Sequence, residues 1–171
     1  MTINELQREL IEEIEGLTKD MSLINSRGGC AELKGYPQAV PILPVFEAMP
    51  IDGEEEKFQD EDGVFPYFIV RIDGVEYKKG EEEKNQAHMI IMFAIHDADP
   101  EMRGYFTLTA IMERVAARFQ SDTVLGAYWC EREMNAAYQE DDTFPQFFGA
   151  LEMTWNLPDI GINPRMEKFY G

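Results

Sequence analysis

The order of patterned segments after residue 65 constrains this chain more than any short motif does. Two strand-like runs joined by a charged hairpin come first, then one amphipathic helix, then two further strand-like runs. Pairs of strands separated by a helix imply a helix-covered sheet. The expected fold class is α/β of the α+β kind, with two main helices packed on a mostly antiparallel or mixed central sheet of about four to five strands.

Tyr67 to Asp73 and Ala87 to His96 are the clearest strands, rich in Ile, Val, Phe and Met. Between them lie Asp73-Gly74 and the run Lys78-Lys79-Gly80-Glu81-Glu82-Glu83-Lys84, which predicts a long antiparallel hairpin with a protruding charged tip. A merely solvated loop has no need to project on paired strands. Lys78, Lys79, Glu81, Glu82, Glu83 and Lys84 are therefore the candidate interface residues. Ile90, Ile91, Met92 and Phe93 are apolar at consecutive positions, which predicts a strand in the middle of the sheet and covered on each side.

Asp99-Pro100 reads as an N-cap followed by a first-turn proline, and Tyr105, Leu108, Ile111, Met112, Val115 and Phe119 fall on one stripe. A second helix is expected over residues 100–120. After Leu125-Gly126 two more strands are expected, over 127–138 and 146–157. In the latter, Phe147, Gly149, Leu151, Met153 and Trp155 alternate with Phe148, Ala150, Glu152, Thr154 and Asn156, so one face looks inward and the other is more polar.

Upstream, Thr2 and Glu5 make a capping box, and Ile3, Leu6, Leu10, Ile14 and Leu17 recur at helical spacing, predicting a helix over residues 3–20 with an acidic outer face. Arg27-Gly28-Gly29 and Gly35-Tyr36-Pro37 break both periods and mark residues 21–38 as a loop or short irregular pieces. Val40 to Phe46 is apolar and β-branched, but its prolines cannot donate to a ladder, so it reads as an edge strand. Glu54, Glu55, Glu56, Asp60, Glu61 and Asp62 form an acidic loop. Tested as a calcium site it fails, because aligning Gly63 with the EF-hand glycine puts Phe58 and Ile69 at the first and last ligand positions.

Residues 158–171 have neither period yet carry Ile160, Ile162, Met166, Phe169 and Tyr170, so this extended segment is expected to pack on its own domain or on a neighbour. With no repeat and no linker in sight, residues 1–171 read as a single domain. At 171 residues the chain can bury roughly 70% of its unfolded surface in one core.

The 33 acidic against 15 basic residues leave a formal charge of −18. That charge opposes phosphate binding, which depends on Lys and Arg displacing counterions, and it disfavours anionic membranes. No run approaches the roughly 20 apolar residues of a membrane span, and the N-terminus lacks a basic-then-apolar leader, so folding in a cytoplasm is expected. Cys30 and Cys130 lie far apart, with no zinc doublet, and read as reduced thiols.

The search for chemistry is negative. There is no phosphate-binding glycine loop, no His-Glu-x-x-His and no Gly-x-Ser-x-Gly elbow. His88 and His96 share a strand face but stand roughly 26 Å apart, too far for one metal. Trp129 and Trp155 read as core or interface anchors, because no basic groove accompanies them. No catalytic, cofactor-binding or metal residue is nominated.

The N-terminal helix, Pro66-Tyr67-Phe68-Ile69-Val70 with its Glu/Lys hairpin, Met89-Ile90-Ile91-Met92-Phe93-Ala94-Ile95, the following helix, and Phe148-Gly149-Ala150-Leu151-Glu152-Met153-Thr154-Trp155-Asn156-Leu157 together resemble the bacteriophage tail terminator family. The resemblance covers residues 40–158 and is carried by patterns, not by chemical signatures. It implies a structural virion protein without enzymatic activity or cofactor. Such a protein forms a hexameric ring at the head-proximal end of the tail, stops tube polymerisation and joins the tail to the neck. Its partners would be further copies of itself, the tail tube protein and a neck or head-tail connector protein. DNA would pass through the lumen without specific binding, past Glu54, Glu55, Glu56, Asp60, Glu61 and Asp62 as acidic lining candidates. Assembly would take place in the bacterial host cytoplasm.

Three other readings fit the same residues. A neck or head-completion protein shares the ring geometry. An acidic adaptor or immunity-type module would use its charge on a basic partner, and an enzyme subunit would need an unusual site.

Overall fold

The computed structural model describes residues 2–41, 64–78 and 83–159. The chain begins with α1 (Ile3–Thr18). Its capping box is complete: Glu5 N–H donates to Thr2 Oγ1 at 3.3 Å and Thr2 N–H to Glu5 Oε2 at 2.8 Å. Leu6, Leu10 and Ile14 form the buried stripe. The helix stops short of residue 20, where Met21 N–H turns back onto the Thr18 carbonyl at 3.0 Å.

Residues 21–38 are more regular than their glycines suggest. β1 (Leu23–Ile24) and β2 (Cys30–Ala31) form a small hairpin of their own, closed by Asn25 Oδ1 accepting from the N–H groups of Arg27 and Gly29, with Gly28 at φ 81°. β3 (Lys34–Pro37) then joins the main sheet parallel to β4 (Tyr67–Glu76). Gly35-Tyr36-Pro37, expected as a loop, is thus the edge strand. Gly35 permits it, because an added Cβ would fall within 3.0 Å of the Phe68 ring and Ile11. Val40 and Pro41 are not in a strand, and residues 42–46 of the expected edge strand lie outside the described residues.

The main sheet continues with β5 (Gln86–His96), β6 (Val124–Leu125), β7 (Tyr128–Tyr138) and β8 (Gln146–Asn156), in the order β3-β4-β5-β8-β7-β6. All neighbours but β3 and β4 are antiparallel. The fold is therefore α+β with a mixed sheet. Among the described residues it has six strands, the two short ones, β3 and β6, accounting for the excess over expectation. Asp73-Gly74 proves to be a bulge inside β4 and not its end, so the hairpin extends to the pair Glu76 and Gln86.

The second helix, α2 (Gly104–Ser121), begins four residues later than its sequence signal. Asp99 does not cap it. Its carboxylate accepts from Glu101 N–H at 2.9 Å and from Arg103 Nε, building a turn that ends at Met102 with φ 59°. Leu108, Ile111, Met112, Val115 and Phe119 are buried, but Tyr105, expected in that stripe, is exposed.

Both helices lie on one face of the sheet, over Phe68, Val70, Met89, Ile91, Phe93, Leu151, Met153 and Trp155. Phe119 meets Trp155 edge to face at 5.2 Å. Gln7, itself buried, ties α1 to the sheet by donating to the Val70 carbonyl at 2.6 Å, and Tyr128 Oη donates to the Thr2 carbonyl at 2.7 Å. β5 is central as expected, but among the described residues it is covered on one face only: Ile91 and Phe93 are buried while Ile90 and Met92 remain half-exposed. Among those residues no helix is long and apolar enough to cross a membrane.

Candidate functional site

The face of β4, β5, β8 and β7 that no other described residues cover is concave, with an apolar and an acidic half. Strand register arranges it in rows. Tyr67, Ala94 and Phe148 form the first row, and Ile69, Met92, Ala150 and Ala137 the second. Arg71, Ile90, Glu152 and Asn135 make the third, and His88 faces Thr154 beyond it.

The first two rows line an apolar groove of about 450 Å³. Alanines hold its floor low while Tyr67, Met92 and Phe148 rise from it. Phe65, buried at the groove's end, packs against Tyr67 at 5.2 Å and Phe148 at 6.2 Å. The other half is an acidic hollow of about 540 Å³, lined by Asp73, Glu131, Glu133 and Glu152 around His88.

His88 is engaged on both ring nitrogens, Nε2 with Glu76 Oε1 at 3.1 Å and Nδ1 with Thr154 Oγ1 at 3.2 Å. Glu131 accepts from the Asn156 amide, holding the hollow's far wall. Among the described residues no three His, Cys, Asp or Glu side chains are placed to hold a metal ion. His96 shares the outer face at the opposite end of β5, next to the Phe65 ring at 6.2 Å. The Cys130 thiol is buried on the helix side, and burial pushes its pKa up to about 12, which keeps it a protonated core group.

The hairpin residues are partly committed within the chain. Lys78 Nζ donates to Gln86 Oε1 at 3.1 Å, Lys84 Nζ pairs with Asp159 Oδ2 at 2.9 Å and sits 5.4 Å above the Trp129 ring, and Glu83 is exposed. Lys79, Glu81 and Glu82 lie outside the described residues. So do Glu54, Glu55, Glu56, Asp60, Glu61 and Asp62, and the segment from Ile160 to Gly171. The outer groove escapes sequence reasoning because its walls come from four strands. The one signal for it is the run of apolar residues at the outward positions of β4, β5 and β8, visible only once register is known.

No protein-family model matches the chain, and no curated protein matches its sequence.

Proposed function

We propose that this chain is a structural assembly subunit of the tail terminator kind, acting as a ring on the end of a phage tail tube and joining it to the neck. The observation that carries the reading is the outer sheet face, an apolar groove continuous with an acidic hollow in a chain of net charge −18. Such a face suits a protein contact. The apolar rows supply burial on association, and the carboxylates orient the partner and repel wrong ones. It suits phosphate binding poorly, as a conduit for sliding DNA requires. The sequence α1, β4–β5 hairpin, α2, β7–β8 supports the reading further, since it is the segment order on which the family resemblance rests. In this role the chain works without catalysis or cofactor. Its partners are copies of itself in a ring, the tube protein and a neck protein.

The test combines native mass and symmetry of the purified protein with binding to the ends of assembled tail tubes. A closed ring that caps tubes and fails to retain duplex DNA at moderate salt is expected. Met92→Glu, placed in the groove, should abolish capping or ring closure while shifting stability by less than about 1 kcal/mol. Ile91→Ala, one residue away but facing the helices, should cost about 2–5 kcal/mol. A monomer indifferent to tube ends overturns the proposal, and a ring that binds the head connector but not the tube makes the chain a neck protein.

A further inference from the structure

β7 is paired with β8 from Trp129 to Tyr138, with one interruption, but on its other side β6 reaches only Tyr128 and Trp129. Among the described residues no strand lies beside Met134–Tyr138 on that side. Sheets usually guard such an edge with charge, proline, a bulge or brevity. The guards of β7 are all in its first half, where Glu131, Arg132 and Glu133 occupy the irregularity between Cys130 and Met134. Met134-Asn135-Ala136-Ala137-Tyr138 carries no charge and no proline, and Ala136, Ala137 and Tyr138 are exposed.

The ladder fixes which backbone groups this edge offers. Gln139 N–H donates to the Phe148 carbonyl at 3.1 Å, which makes that pair a hydrogen-bonded one. Hydrogen-bonded and non-bonded pairs alternate along antiparallel strands. Ala137 and Asn135 therefore bond to β8, and the N–H and C=O groups of Met134, Ala136 and Tyr138 point outward.

We propose that this edge pairs with the same edge of a second copy, antiparallel about a two-fold axis through Ala136. In that register Ala136 lies opposite itself and Met134 opposite the partner's Tyr138, and at each end of this regular stretch Arg132, in the irregularity, comes to the side of the partner's Glu140, just past the strand's end. On the other face Asn135 meets Ala137 and Glu133 meets Gln139. No like charges oppose one another between residues 132 and 140, and over Met134–Tyr138 the outward backbone groups are the ones that this register pairs, while the Arg132 carbonyl accepts from the Gln120 amide at 3.5 Å within its own chain. A shift by one residue would set these outward groups opposite residues whose own backbone groups are already bonded to β8. Glu131 and Asp141, both acidic and next in line, limit the pairing to this stretch.

The side chains beside the edge agree with it. Tyr105 packs on Tyr138 at 5.6 Å and Phe106 on Tyr105 at 6.1 Å, yet Tyr105 is 47% and Phe106 69% exposed. The two-fold brings the partner's Met134 against Tyr138 and extends this aromatic group across the joint. The contact is isologous and therefore distinct from one that closes a ring through two unlike patches. It does not depend on the tail assignment, and it meets the outer groove along the groove's Ala137–Gln139 wall.

The test places one cysteine on the axis. In a Cys30→Ser background, Ala136→Cys should form a disulfide-linked dimer of twice the 19.7 kDa chain under mild oxidation. Hydrogen-bonded antiparallel partners have Cα atoms about 5.5 Å apart, within disulfide reach. Asn135→Cys in the same background, opposite Ala137 and not itself, should not cross-link. In sedimentation equilibrium, Arg132→Glu and Glu140→Arg should each weaken the two-fold contact about tenfold and the double reversal should restore it. A chain that never cross-links through residue 136, equal cross-linking at residue 135, or a contact indifferent to both single reversals would overturn the proposal.

Discussion

Arg118 on α2 donates through Nε to Glu13 Oε1 on α1 at 2.5 Å and through Nη1 to the Asp122 carbonyl at 2.6 Å, so one guanidinium joins the two helices and closes the end of its own. Its side chain is 21% exposed and that of Glu13 30%, which spares the pair much of the screening that weakens surface ion pairs.

Arg118→Ala should therefore destabilise the protein by about 1–3 kcal/mol, and Arg118→Lys by less, since Lys keeps the charge but cannot serve both partners with one planar fork. Urea denaturation of these variants and of Glu13→Gln, set in a double-mutant cycle, should return a coupling above about 0.5 kcal/mol. A wild-type midpoint for Arg118→Ala would mean that the apolar faces and Arg114, which donates to the Leu17 carbonyl at 3.1 Å, hold the two helices without it.

Two glycine substitutions should differ in sign. Gly16 lies on the exposed side of α1 with nothing within 4 Å of an added Cβ, so Gly16→Ala should stabilise by about 0.5–1 kcal/mol through helix propensity. Gly35 sits where β3 passes under α1, and its added methyl would overlap Phe68 and Ile11. Gly35→Ala should cost about 1–3 kcal/mol, as overpacking does. Thermal melts of the two variants check both; two shifts of the same sign would contradict the packing of β3 against α1.

The two cysteines should separate cleanly. Cys30 is exposed, whereas Cys130 is buried and its thiol pKa stands at about 12 against an ordinary 9.0, chiefly through desolvation, with the Glu131 charge adding to it. A thiol reagent at pH 8 should label one site in the native protein and a second only on unfolding. Because the folded state holds the Cys130 proton more tightly, this group's contribution is fully present below pH 9.0 and is lost as pH rises toward about 12. Cys130→Ala should remove that part of the alkaline loss, measured as denaturation midpoints against pH.

Which of these features a reader of the sequence can find depends on how local their causes are. The capping box, the buried stripes of both helices and the alternation in β8 are set by neighbours within a turn or two and stand in the structure where their periodicity puts them, except that Tyr105 at the start of the α2 stripe is exposed. β3 was hidden because Gly35 and Pro37 carry turn chemistry, while the close approach of α1 that makes glycine necessary there is a tertiary fact. The start of α2 lies past its sequence signal for a related reason, since Asp99 uses its carboxylate on Glu101 and Arg103 to build a turn ahead of the helix. The outer groove belongs to no segment. Ile69, Met92 and Ala150 become neighbours only through the register of three strands.

The hairpin gives the last prediction. Lys84 pairs with Asp159, whose side chain is 75% exposed, and rests over Trp129, contacts worth no more than about 1 kcal/mol in so open a setting. The Lys78 ammonium donates to the Gln86 amide and its N–H to the Asn85 side chain at 2.9 Å, both on an exposed surface. Reversing Lys78, Lys79 and Lys84 to Glu should therefore leave the melting midpoint nearly unchanged. If the tip touches a neighbouring subunit or the tube, the same reversal should weaken ring formation or tube capping, because replacing three positive charges by three negative ones on a chain already at −18 opposes any acidic partner surface. The comparison of melting with capping decides the matter. Unchanged capping returns the tip to a solvated loop, and a large fall in stability would make Lys84 a structural clasp between the hairpin and Asp159.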